Sequence, residues 1–197
     1  MSNISPITYN LNSVKGISQT QLSEHYKLYE GYIKQVNALD SLNKNANCFK
    51  NSNSTFSSMR SIKLGESFAL NGALLHQFYF ENITFPGNTP SNKMLELIRC
   101  QWISYDNFIN YLKKACLSVH GWVTVCIDTL TKCLRIAGSD AHDIGSLWCT
   151  QPLIVIDVYE HAYFLDFGTN RAKYVDIILE TLNWKVINSR LNNLNLF

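Results

Sequence analysis

Asp157-Val158-Tyr159-Glu160-His161-Ala162-Tyr163 follows directly on the apolar, β-branched run Leu153-Ile154-Val155-Ile156. A run of that kind reads as a short buried strand. An Asp at its end and a His four residues later converge where the strand stops and the chain turns into helix. Two distant histidines complete a donor set. His25 lies on a first predicted helix and His76 on a second. Three imidazoles and one carboxylate make an N₃O site for a first-row transition metal, with a position left open for solvent.

Working outward, Trp122–Asp128 and Cys133–Gly138 are further β-branched or aromatic runs bounded by turn residues. With Leu153–Asp157 they predict a small three-stranded antiparallel sheet. The first helix is expected from an N-cap at Ser18 to about Leu42, its apolar positions Leu22, Tyr26, Tyr29, Ile33, Val36 and Leu39 recurring at three- and four-residue steps. The Asn- and Ser-rich segment 43–55 reads as loop. A second helix is expected from about Phe56 to Asn82. Its later half, Phe68–Phe80, is apolar nearly all round, which predicts burial on most sides. Further helices are expected over 93–101, 105–118, 171–181 and 183–192. The fold class is α+β: an N-terminal long α-hairpin, then a C-terminal domain with a three-stranded antiparallel sheet flanked by helices. The break at 85–92, rich in Pro, Gly and Asn, divides residues 1–88 from 89–197, with the metal site between them.

Composition narrows the function classes. The 197 residues are 46% hydrophobic and 16% charged, with a formal net charge of +2, as in an ordinary soluble globular protein. Lys and Arg are scattered, not gathered into a stripe, so no nucleic-acid partner is expected. No apolar run is long enough to span a bilayer, and no basic-then-apolar leader pattern opens the chain. The six cysteines form no CxxC pair and read as reduced thiols in a cytoplasmic protein.

The stretch 157–163 resembles the DxWEHAYY signature of the iron/manganese superoxide dismutases, with Tyr159 in place of the usual Trp. The likeness continues in order along the chain. Asn170-Arg171-Ala172-Lys173-Tyr174-Val175 and Asn183-Trp184 resemble that family's NxRxxYL and NW segments. Ser67 to Phe80 is similar to its second-ligand helix, and Gly121-Trp122 to the opening of its first strand. The resemblance implies that His76, Asp157 and His161 are three of four ligands to one Mn or Fe ion per subunit. It further implies a homodimer in which Glu160 reaches the other subunit's His161, and Trp122 as a wall of the metal pocket.

The fourth ligand needs more care, because the family pattern HxxxHHxxYV sets the ligand eight residues before a pocket tyrosine. Eight before Tyr32 is Glu24, not His25. Either Glu24 has replaced the ligand, or one residue has been deleted and His25 keeps the role. On a regular helix, positions seven apart lie within roughly 20° of each other and positions eight apart roughly 80° apart. A deletion that removes a local bulge would therefore leave His25 and Tyr32 on one face, with Tyr29 in the place of the family's second His. This favours His25.

Around the metal, many iron-type members carry a glutamine where this chain has Gly72. His142, just after the second predicted strand, is the candidate to fill that space, and the change leans toward manganese or dual use. His120 reads as structural or exposed. Tyr32 and His142 are the expected catalytic pair, relaying protons to a metal that disproportionates superoxide into dioxygen and peroxide. Phe164 and Phe80 depart from the family's usual Tyr and Trp. The competing expectation is a protein of the same fold that has lost its metal and its activity.

Overall fold

The computed structural model describes residues 3–84, 88–145 and 147–194. Part of the expected domain break, residues 85–87, lies outside them. Helix α1 spans Gln19–Ser41 and α2 Ser58–Ile83, joined by a loop with one 3₁₀ turn at Ala46–Cys48. Then come α3 (Asn92–Trp102) and α4 (Tyr105–Ser118). The strands are β1 (Trp122–Asp128), β2 (Leu134–Ser139) and β3 (Thr150–Asp157). A 3₁₀ turn at Glu160–Ala162, the four-residue α5 (Phe164–Phe167), α6 (Arg171–Glu180) and α7 (Trp184–Asn192) follow. The α+β class and the helical hairpin stand as expected; the short turns at 160–167 were not foreseen.

The helix starts follow from local chemistry. Side chains of Ser18, Ser57, Ser91, Ser104, Asn170 and Asn183 each accept an N–H from the first turn they precede, satisfying a donor that the helix itself cannot. Between α3 and α4 the chain turns at Ile103, with φ +66° and ψ −48°, and Ser104 N–H donates to the Trp102 carbonyl at 2.6 Å. That is a γ-turn of the rare positive-φ kind, held by a β-branched residue.

The sheet order is β2-β1-β3, both pairings antiparallel. Register fixes the location of the site. Trp122 pairs with Ser139 on one side and Asp157 on the other, so the start of β1 and the ends of β2 and β3 meet at one edge. Gly121 extends this ladder by donating to the Ser139 carbonyl and accepting from Val158 N–H. A Cβ there would stand 2.6 Å from the Ser139 oxygen, which leaves room for glycine only.

Helix α2 packs on both α1 and β3. Its buried face carries Ala69, Gly72, Ala73, His76, Tyr79, Phe80 and Ile83. The expectation that Phe68–Phe80 is buried on most sides fails: Leu70 and Leu74 are 41% and 49% exposed. Apolar content marked both faces of α2, but only one meets the sheet and α1 within this chain.

Candidate metal centre

Four side chains meet where the hairpin lies against the edge of the sheet. His25 from α1, His76 from α2, Asp157 at the end of β3 and His161 from the following 3₁₀ turn bring one donor atom each within 4.8 Å of one another. Asp157 is the centre of the group. Its Oδ1 accepts the Tyr159 N–H at 2.9 Å, so the carboxylate is fixed by its own chain. Its Oδ2 faces His25 Nε2 at 3.0 Å, His161 Nε2 at 3.1 Å and His76 Nε2 at 3.8 Å. The Tyr174 hydroxyl anchors the same residue from behind, donating to the Asp157 carbonyl at 2.7 Å.

Protonation follows from burial and charge. Burial penalises the Asp157 carboxylate, but the adjoining His161 and His25 outweigh it and hold the group well below the usual carboxylate range. Burial lowers His25. It brings His76, helped by repulsion from His25, down to about 3, so both are neutral bases near pH 7. His161 is the least buried of the three imidazoles. Desolvation pulls it down, but the charge of Asp157 and the hydrogen bond to it leave it raised.

The donor set fits a cation. His76 Nδ1 lies 2.6 Å from the Gly72 carbonyl, which fixes the proton on that nitrogen and leaves Nε2 with a bare lone pair. That Nε2 is buried and has no hydrogen-bond partner. A buried polar atom without a partner is costly, and here it faces a carboxylate shared by two further imidazoles, the arrangement a divalent or trivalent transition metal satisfies.

The structure brings His25 into this group and leaves Glu24 outside it. Glu24 is exposed and pairs with Lys27 at 2.6 Å. Helix α1 runs as regular α-helix through 19–41, so His25 and Tyr32, seven apart, share a face. Tyr29 turns elsewhere: it is buried, and its hydroxyl accepts the Ile7 N–H at 3.2 Å.

Beside the donors runs a second, hydrogen-bonded row. Trp122 Nε1–H donates to His142 Nδ1 at 2.8 Å, and His142 Nε2 lies 2.7 Å from the Tyr32 hydroxyl. An indole N–H can only donate, so Nδ1 of His142 is the acceptor and Nε2 carries the proton. Tyr32 therefore accepts from His142, and its own hydroxyl proton remains available for another partner. Burial lowers His142 and raises Tyr32, which keeps both neutral. The Tyr32 ring lies flat against the space a Cβ on Gly72 would occupy. His120 is exposed, near Asp140 and apart from the group.

A family profile described as "Iron/manganese superoxide dismutases, C-terminal domain" matches residues 90–190. An iron superoxide dismutase of Aquifex pyrophilus is 34% identical over 183 residues, covering 90% of this chain and 85% of the relative. The chain belongs to the iron/manganese superoxide dismutase family. Other relatives in the family carry different metals in their names. A manganese/iron superoxide dismutase of Aeropyrum pernix is 28% identical over 94% of this chain and 88% of its own length. A manganese superoxide dismutase of Halobacterium salinarum is 27% identical over 91% and 89%.

Within this family member, two contributors escaped the sequence reading. Tyr159 stacks on the His161 ring, centroids 5.1 Å apart and planes 19° apart, besides holding Asp157 through its N–H. Gln21 is buried on α1 one turn before His25, and its only signal in the sequence was a polar residue on an apolar face.

Proposed function

We propose that this chain is a superoxide dismutase that holds one iron or manganese ion per subunit on His25, His76, Asp157 and His161 and converts superoxide to dioxygen and hydrogen peroxide. Bound there, the ion supplies the one-electron couple that alternately oxidises and reduces superoxide. The observation that carries this reading is the buried four-donor group with the unpartnered His76 Nε2. A protein of the same fold without a metal has no use for a buried carboxylate and three imidazoles, which are expensive to keep dry.

The residues of the chain do the rest. Tyr32 and His142 serve as the catalytic pair: His142, its tautomer set by Trp122, fixes the phenol oxygen, and Tyr32 presents its proton toward the pocket. Trp122, at 0% exposure, and Phe68 against His142 exclude bulk water from that side. Glu160 is exposed beside His161 and, in a homodimer, reaches the partner subunit's His161. The hairpin of residues 1–88 and the remainder, 89–197, act as two halves of the cage, in a reduced, cytoplasmic setting consistent with six free cysteines. Among the described residues no helix is long and apolar enough to cross a membrane.

Elemental analysis and a superoxide assay on protein loaded separately with iron and with manganese test the proposal. Close to one ion per chain and turnover with at least one metal are expected. Absence of uptake would favour the alternative, a protein of the same fold that has lost its metal, and stoichiometric metal without turnover would overturn the dismutase reading while leaving the site.

A further inference from the structure

His161 has the weakest local support of the four donors. It sits in a three-residue 3₁₀ turn, followed at once by the four-residue α5, and segments this short do not hold themselves. Within the turn, Ala162 N–H goes to the Tyr159 carbonyl and Tyr163 N–H to the Glu160 carbonyl, which leaves the His161 carbonyl without a partner from its own segment. Nor does the N-cap of α5, Tyr163, offer a side-chain acceptor to the first turn.

Gln21 meets both needs at once. Its Nε2 donates to the His161 carbonyl at 2.6 Å, and its Oε1 accepts the Leu165 N–H at 3.0 Å. The amide can face only one way, because a carbonyl needs a donor and an N–H an acceptor. The side chain is 1% exposed and sits four residues before His25, hence on the same face of α1. A separate bond ties the same two segments: Ser18 N–H donates to Asp166 at 2.6 Å.

We propose that Gln21 is a positioning residue that sets the place of His161 relative to His25 by pinning its carbonyl and capping α5 from α1. The inference rests on the reading of His25, His76, Asp157 and His161 as a metal cage. A donor held by its backbone from the helix that carries another donor cannot drift from it independently, so Gln21 couples the positions of the two imidazoles that face Asp157.

Gln21→Met conserves volume and removes both bonds, Gln21→Asn keeps the amide on a stem one methylene too short to span both partners, and Asp166→Asn weakens the other tie without touching His161. The chains are loaded with iron, and the ferric electron paramagnetic resonance signature and the rate of iron loss to a chelator are measured beside thermal stability. Expected are an altered signature and iron loss about 10-fold faster in both Gln21 variants, the lower end of effects seen when a ligand's supporting hydrogen bonds are cut. Asp166→Asn is expected to lower the melting temperature and keep the wild-type signature. If Gln21→Met does not fold, Gln21→Asn carries the comparison. Iron-bound Gln21 variants with wild-type signature and chelation rate overturn the inference alone, as does an equal spectral change in Asp166→Asn. A wild-type chain that takes up no iron overturns the cage itself.

Discussion

Replacing Gly72 with alanine isolates the contact on which the position of Tyr32 depends. A Cβ at that point would lie 2.7 Å from Tyr32 Cδ1, 2.9 Å from Cε1 and 2.9 Å from Cγ. Carbon atoms settle at about 3.5–4.0 Å, so the ring must retreat by roughly 1 Å. It is not free to do so, being held to His142 at 2.7 Å and packed near His76 and Phe68. Overpacking of this kind costs about 1–3 kcal/mol. Against it stands the gain from removing a glycine inside α2, about 1 kcal/mol. The net loss of about 0–2 kcal/mol is too small to identify the cause, so the test is a double-mutant cycle read by urea unfolding of the metal-free protein. In a Tyr32→Ala background the ring is gone, and Gly72→Ala should stabilise by about 1 kcal/mol, some 2–4 °C in melting temperature. In the wild-type background the same change should be neutral or destabilising, and turnover should fall, as it should also in Tyr32→Phe. Equal stabilisation in both backgrounds would show that the ring does not rest on Gly72.

Three more outcomes are open to measurement. His25→Ala should lose the metal, and Glu24→Ala should keep it with stability changed by less than about 0.5 kcal/mol, as for an exposed ion pair; elemental analysis showing the reverse would reassign the ligand. The metal-free protein should lose stability as pH falls below 6.5, because buried His76, brought down to about 3, stays neutral while the unfolded chain takes up its proton. At pH 5 that amounts to about 2 kcal/mol, with lowered His25 and His142 adding in the same direction, Asp157 constant in this window and raised His161 opposing by less than about 0.4 kcal/mol. Urea unfolding that is flat or strengthening from pH 6.5 to 5 would contradict it. Ile103→Gly should stabilise by about 1 kcal/mol, since the residue is 85% exposed and only its backbone angle is at stake; a lower melting temperature would mean that its side chain matters after all.

Much of the site was legible because its spacing is local or its helices are long. Asp157 and His161 sit four residues apart at a strand end, and the helical repeat carried His25 and Tyr32 onto one face without any tertiary information. What stayed hidden depends on register and rotamer. That Trp122 falls between Ser139 and Asp157 is a property of the sheet pairing, and with it goes the tautomer of His142. Gln21 was invisible because its two partners lie 140 and 144 residues away. The misjudged face of α2 has another cause: apolarity tells that a surface favours burial, not that this chain supplies the cover.

The departures from the family pattern on α1, α2 and the sheet are one geometric solution. Without a bulge, α1 keeps its regular winding and brings Tyr32 round seven residues after His25. There its ring occupies the volume beside residue 72 of α2, so any side chain at that position, glutamine included, must displace it. The hydrogen bond to the phenol must then come from elsewhere. The edge of the sheet supplies it through His142, 2.7 Å away. A histidine there needs one fixed tautomer to act as donor, and the Trp122 indole imposes it from the first residue of β1. Introducing glutamine at 72 alone should therefore disturb the site, because it would displace the Tyr32 ring from its place beside His142. An inserted residue in α1 between His25 and Tyr32 would turn the phenol to another face and leave room for the glutamine.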